Sequence, residues 1–204
     1  MITPALPRDR SACADESITA WALAARGGDS AAVDRFVRAL HRDVIRYVAH
    51  LCADPQAVDD LAQDTFLRAL GSLHRFEGRS SARAWLLAIA RRAVADSIRS
   101  TAVRPRRADL ADWELAAELA QPRGLPGFDA GVMLRELLDG LPAERREAFV
   151  LTQLLGLPYA EAAELSRCPV GTVRSRVARA RATLVALLAE ADRAAPPSEP
   201  ALAA

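Results

Sequence analysis

Tyr159-Ala-Glu-Ala-Ala163-Glu-Leu165-Ser-Arg167-Cys168-Pro169-Val170-Gly-Thr172-Val173-Arg-Ser-Arg-Val177 contains a short apolar-periodic run, a tight turn and the start of a longer run. A short helix, a turn of about four residues and a longer second helix make a helix-turn-helix. Ala163 is small where the two helices must approach, and Pro169 sits where the first turn of a helix accepts proline. Val170, Val173, Val177, Ala180 and Leu184 recur on one side of the second helix and are expected to pack inward. The opposite arc carries Thr172, Ser175, Ala178 and Arg179, flanked by Arg174 and Arg176. Arg167 occupies a turn position that usually prefers glycine. A left-handed backbone there would cost roughly 1 kcal/mol.

Charge separates this motif from its surroundings. The net charge is only +1, and the 27 basic residues are all arginine. Residues 167–181 hold five of them (Arg167, Arg174, Arg176, Arg179, Arg181) and no acid, whereas 132–166 hold three arginines against six acids. Opposite fields on adjacent segments suit one surface for an anionic polymer and another for a different partner. A major groove admits one α-helix, and arginine can bond guanine bidentately there.

Outward from the motif the periodicity stays helical, and no segment alternates as a strand does. Val33, Phe36, Val37, Leu40, Val44, Tyr47, Val48 and Leu51 place an amphipathic helix over 30–52, broken at Asp54-Pro55. Val58, Leu61, Ala62, Thr65, Phe66, Ala69 and Leu70 make a second stripe, with Gly71 as its expected C-terminal glycine. Residues 72–81 read as a loop ending in an N-cap serine, and a third helix covers about 82–100. Its inward arc is Trp85, Leu86, Ile89, Ala90 and Ala93, and its outer arc Arg83, Arg91, Arg92 and Arg99. Pro105, Pro122, Gly124, Pro126, Gly127 and Gly131 mark a linker, within which 109–120 has the pattern of a short helix. Helical spacing resumes with Val132, Leu134, Leu137 and Leu138, turns at Leu141-Pro142, continues through Ala148, Phe149, Leu151, Leu154 and Leu155, and ends at 156–158.

The expected fold is therefore all-α, with two small helical domains joined by a flexible linker. The divisions are a disordered N-terminus over 1–17, a first domain over 18–101, a linker over 102–131, a second domain over 132–190 and a disordered tail over 191–204. Cys13, Cys52 and Cys168 stand apart without a CxxC pair, and the three histidines lack metal-ligand spacing, so neither a disulfide framework nor a metal site is indicated. No nucleophile motif or phosphate loop is present, and neither catalysis nor a cofactor is expected. The N-terminal stretch lacks a signal-peptide core and no apolar run suits a membrane span, which points to a cytoplasmic protein without membrane insertion.

Three motifs in order carry a family resemblance. Pro158 to Arg181 resembles region 4 of bacterial sigma factors of the extracytoplasmic-function (ECF) group within the sigma-70 family. Val58-Asp-Asp-Leu-Ala-Gln-Asp-Thr-Phe-Leu67 resembles region 2.2, and Trp85-Leu-Leu-Ala-Ile-Ala-Arg91, with Asp96 and Arg99 after it, resembles regions 2.3–2.4. The similar spans are 18–101 and 132–190. The resemblance implies a dissociable specificity subunit of RNA polymerase that reads the −35 and −10 promoter elements and promotes initiation. Thr172, Arg174, Ser175, Arg176 and Arg179 would then face the −35 groove. Phe76, Arg79, Ser80, Arg83, Arg91, Arg92 and Arg99 would face the −10 element, the loop before the third helix capturing an unstacked base. Ser81 belongs to the same loop, and Trp85 reads rather as core. Asp60, Gln63, Asp64 and Phe66 would meet the polymerase β′ clamp helices, and the C-terminal domain the β flap. An anti-sigma factor is a further partner the family admits. Arg92 stands where the family usually has Asn, which leaves the −10 preference open, as are the promoter, the activating signal and any autoinhibition. A flexible linker would let the basic surface of 167–181 fold against the acidic N-terminal half and block both. Two other readings remain at this point: an autonomous helix-turn-helix regulator, and a helical adaptor that ignores DNA.

Overall fold

The computed structural model describes residues 8–103 and 128–194, and those residues are helical without strands. The 109–120 segment and the tail beyond 194 lie outside them. Helix α1 (Arg8–Arg26), α2 (Ser30–Leu51), α3 (Ala57–Ser72) and α4 (Ala82–Val103) form the first unit, with a 3-10 turn at Leu73–Arg75. The second contains α5 (Phe128–Asp139), α6 (Ala143–Phe149) continuing as a π-helical turn at Val150–Leu154, α7 (Tyr159–Ser166) and α8 (Val170–Ala194).

The first unit is organised by α2, whose Phe36, Leu40, Val44, Tyr47 and Val48 are buried. Helix α2 packs against α1, α3 and α4 in turn. Burying each such side chain contributes about 1.5–3 kcal/mol. Asp29 caps α2, its carboxylate accepting from the amides of Ala31 at 2.9 Å and Ala32 at 3.1 Å. At α4, Ser81 is the expected N-cap: its hydroxyl oxygen accepts from the amide of Ala84 at 3.1 Å.

Several expectations are corrected. Residues 8–17 are the first turns of α1, not a disordered terminus, and the helix packs through Ile18, Ala22 and Ala25. Alanine supplies most of this face, which hides it from a reading based on large apolar residues. Gly71 does not terminate α3, which runs on to Ser72 and into the 3-10 turn, where buried Leu73 and Phe76 anchor the supposed loop. Leu70 is exposed. Helices α4 and α5 each extend a few residues into the expected linker, and α8 runs on to Ala194, into the expected disordered tail.

In the second unit the π turn bonds the amide of Leu155 to the carbonyl of Val150 at 2.9 Å. The wider turn shifts the register, so Val150, Leu151, Thr152 and Leu155 are buried while Phe149 and Leu154 are only half-buried. The α7–α8 turn ends in a Schellman arrangement: the amide of Cys168 bonds the carbonyl of Ala163 at 3.1 Å and that of Arg167 bonds Glu164 at 3.2 Å. Arg167 has φ 52° and ψ 46°, the left-handed conformation anticipated for it. Arg167→Gly should therefore raise stability by about 1 kcal/mol, seen as a higher midpoint in urea unfolding.

The two units touch. Helix α4 packs on α7, and α2 on α6 and the π turn. The contact is not the one expected, since among the described residues no hydrogen bond across it comes from the basic helix α8. Acids of the second unit instead meet donors of the first.

Candidate nucleic-acid interface

The second helix of the helix-turn-helix, α8, is held by Val173, Val177, Ala180 and Leu184, all buried as expected. Val170 departs from the pattern and is 36% exposed, because it is the first residue of the helix. The outward arc is open at Arg174, Ser175 and Arg179, and Thr172 is half-buried. The Ser175 hydroxyl donates to the Thr172 carbonyl at 2.9 Å, which tethers that side chain to its own helix. Arg176 leaves the arc: it pairs with Glu144 of α6, and its Nη1 lies 3.5 Å from the Cys168 thiol. This arginine braces the turn against α6, and α8 offers fewer free guanidinium groups than its composition suggests.

The other candidate surface runs from the loop before α4 along the helix. Arg75, Phe76, Glu77, Gly78, Arg79, Ser80 and Trp85 line a shallow pocket of about 270 Å³. Phe76 forms its floor, only 3% exposed, and packs on the Trp85 ring with centroids 4.9 Å apart. Gly78 has φ +72° and lies close to Leu23, a turn that L side chains adopt with strain. Arg79 is exposed and paired with Glu77. Further along, Arg92 is open, and Arg99 is open but paired with Asp96. Asp96 also holds Arg68, which pairs with Asp64 at 2.8 Å. Its two arginine hydrogen bonds keep the Asp96 carboxyl below the usual range.

Arg83 does not belong to this surface. Its side chain is 14% exposed and points into the seam between the units, 2.9 Å from Asp15 and 3.2 Å from Asp43. Its Nη1 donates to the Leu155 carbonyl at 2.7 Å. The expectation that it contacts DNA is revised: helical spacing placed it on the outer arc, but α1 and the second unit cover that end of α4. The Asp15 contact is close but misaligned, leaving both facing atoms without a directed hydrogen bond. Burial raises the Asp15 carboxyl, Arg83 opposes that, and Glu161 and Asp43 add to it.

Two carboxylates of the second unit take further donors of the first across the same seam. The Ser81 amide and hydroxyl bond the carboxylate of Glu161 at 3.0 and 2.7 Å. Arg91 Nε and the Tyr47 hydroxyl both donate to Glu147 Oε1, at 2.8 and 2.9 Å. Tyr47, on the apolar stripe of α2, thus carries a polar contact that its helical spacing does not reveal.

On α3, Asp59, Asp60 and Gln63 are exposed, Asp64 is half-buried against Arg68, and Phe66 is buried with its ring stacked on His41 at 6.0 Å. Sequence reasoning missed Leu67, 64% exposed and one helical turn beyond Gln63 on the acidic face. An apolar residue in an i,i+4 relation to an exposed amide was the available signal. The second unit carries an open apolar groove of about 450 Å³ among Leu134, Leu137, Phe149, Leu184, Val185 and Leu188, rimmed by Gln153 and Arg181. Among the described residues no cluster of three or more His, Cys, Asp or Glu could hold a metal, and no helix is long and apolar enough to cross a membrane.

The sigma-70 region 2 model matches residues 36–104 and the sigma-70 region 4 model residues 131–184. The chain is 50% identical over 172 residues to the ECF RNA polymerase sigma factor SigC of Mycobacterium tuberculosis (strain CDC 1551 / Oshkosh), covering 84% of this chain and 91% of the relative. The chain belongs to the ECF group of the sigma-70 family. The ECF RNA polymerase sigma factor EcfG of Rhodopseudomonas palustris (strain TIE-1) is 37% identical over 70% of this sigma factor and 77% of its own length. Among solved structures, CnrH in complex with the cytosolic domain of CnrY superposes with a TM-score of 0.63 at 28% identity, covering 85% of this chain and 98% of CnrH. The first unit is thus region 2 and the second region 4.

Proposed function

We propose that this sigma factor directs core RNA polymerase to promoters through several surfaces, a reading that the exposure of their residues supports. In region 4, Arg174, Ser175 and Arg179 enter the −35 major groove, with Thr172 at the edge and Arg176 bracing the turn. In region 2, the pocket beside Arg79 and Ser80 receives an unstacked base of the −10 strand, the apolar Phe76–Trp85 pair forming its wall. Arg92 and Arg99 follow the strand backbone, joined by Arg91 once it is free of Glu147. The open face of Asp60, Gln63 and Leu67 docks on the β′ clamp helices, with Asp64 and Phe66 holding its shape, and the apolar groove of region 4 takes the β flap. The protein works in the cytoplasm, takes no cofactor and has no catalytic centre of its own.

The observation that carries this reading is the pairing of two separate nucleic-acid surfaces with an acidic face that neither of them uses. An autonomous helix-turn-helix regulator would have no use for the acidic α3 face, and an adaptor would have none for the acid-free arginine run over 167–181. Melting costs about 1.4 kcal/mol per base-pair step in lost stacking, more than a few contacts by one small protein supply across a bubble. Strong promoter binding is accordingly expected from the holoenzyme and weak binding from the free chain. Run-off transcription with purified core polymerase on genomic DNA, with start sites mapped, tests this. New start sites that depend on the protein support it. Failure to bind core, or nanomolar promoter binding without polymerase, overturns it.

A further inference from the structure

The donors that meet Glu147 come from two different helices of region 2. Tyr47 lies on α2 and Arg91 on α4, yet both aim at one carboxylate oxygen supplied by region 4. The Tyr47 side chain is fully buried in this arrangement. When the two halves spread onto separate promoter elements, Glu147 departs, and a phenol O–H and a guanidinium are left facing the same point. A hydroxyl donor beside a planar guanidinium fork suits a phosphate oxygen as well as a carboxylate. The next residue on α4, Arg92, is exposed, as is Arg99 two turns further on. The point Glu147 fills is therefore continuous with the arginine track of α4.

We propose that Tyr47 and Arg91 form a cradle for a backbone phosphate of promoter DNA, and that Glu147 occupies it in the free chain as an internal stand-in. Glu161 repeats the pattern at the other end, its carboxylate held by the Ser81 amide and hydroxyl about 15 Å away along the helix. Docking of region 4 thus competes with DNA at α4 alone. Arg174, Ser175 and Arg179 remain exposed throughout, so the −35 surface stays available while region 4 engages Arg91 and Ser81 of the −10 surface. This rests on the promoter-directing reading above and adds Tyr47 to it as a phosphate-binding donor.

The test uses holoenzyme on a fork-junction DNA built from a start site mapped by run-off transcription, titrated between 50 and 200 mM salt. Arg91→Gln should lower the magnitude of the slope of log K against log salt by about 0.7–0.9, the loss of one phosphate contact. Tyr47→Phe keeps the buried ring and removes only the hydroxyl. It should weaken binding about fivefold with the slope retained, since a neutral donor releases no counterion. In the free full-length chain, Glu147→Gln should tighten binding to the same DNA about fivefold by vacating the cradle. A Tyr47→Phe holoenzyme at wild-type affinity, an Arg91→Gln slope that does not move, or a free Glu147→Gln chain no tighter than wild type would each overturn the cradle. A wild-type holoenzyme that fails to bind the fork would instead remove the promoter-directing reading.

Discussion

Arg174→Ala combined with Arg179→Ala should weaken holoenzyme binding to duplex DNA carrying the upstream element by about a hundredfold. Both side chains are exposed on the outward arc of α8, and neither has an ion pair among the described residues. An arginine in a major groove contributes about 1–3 kcal/mol, and tenfold in affinity is about 1.4 kcal/mol. Two such losses therefore multiply to roughly two decades. Salt tells which role each plays. If both hold phosphates, the slope falls by about 1.8 and every sequence suffers alike. If either reads a base, the slope changes less and discrimination relaxes at one position. Surface substitutions of this kind leave stability within about 0.5 kcal/mol, so an unchanged unfolding midpoint is the control. Arg176→Ala is the informative contrast: its partner is Glu144, and it should act on the turn more than on DNA. Should the double variant bind as tightly as wild type, α8 is not the recognition helix.

How far the sequence could carry this reading depends on the kind of contact. The helix-turn-helix was legible because period and turn chemistry are local: Val173, Val177, Ala180 and Leu184 are buried where the spacing puts them, and Arg167 adopts the left-handed conformation its position demands. The N-cap at Ser81 was legible for the same reason. Helix α1 was not, because a face built on Ala22 and Ala25 differs too little from an alanine-rich background. Nor were the side-chain partners that arrive from distant sequence. Arg83, Arg91 and Ser81 look alike as members of a basic loop and helix. Which of them is consumed by Asp15, Glu147 or Glu161 depends on how α1 and region 4 pack over α4, and helical periodicity carries no information about that. The same limit inverted the polarity of the domain contact. Composition pointed to the basic α8 meeting an acidic partner, whereas the acids of region 4 meet the donors of region 2.

Arg83→Met makes that distinction measurable, because it should act on stability instead of DNA affinity. In the seam, one guanidinium serves Asp15 of α1 and Asp43 of α2 and bonds the Leu155 carbonyl of region 4. Methionine keeps much of the volume and removes the charge, leaving two carboxylates in a partly buried site with Glu161 nearby. Breaking a buried pair by deleting one partner costs about 3–5 kcal/mol, and a loss of that order is expected at pH 7. The deficit should then shrink on acidification. Burial already holds the Asp15 carboxyl above its ordinary value despite Arg83. The native state thus binds a proton at a pH where the unfolded chain has released it, and native stability gains as pH falls through that window. Without Arg83 the opposing influence is gone, Asp15 rises further, and the variant recovers faster than wild type as the medium is acidified from pH 7 toward pH 5. Urea unfolding of both chains across that range reads the difference directly. A deficit that stays constant with pH would mean that water, not the guanidinium, solvates these carboxylates. A deficit that appears in the salt slope of promoter binding while stability holds would return Arg83 to the DNA surface where the spacing of α4 first placed it.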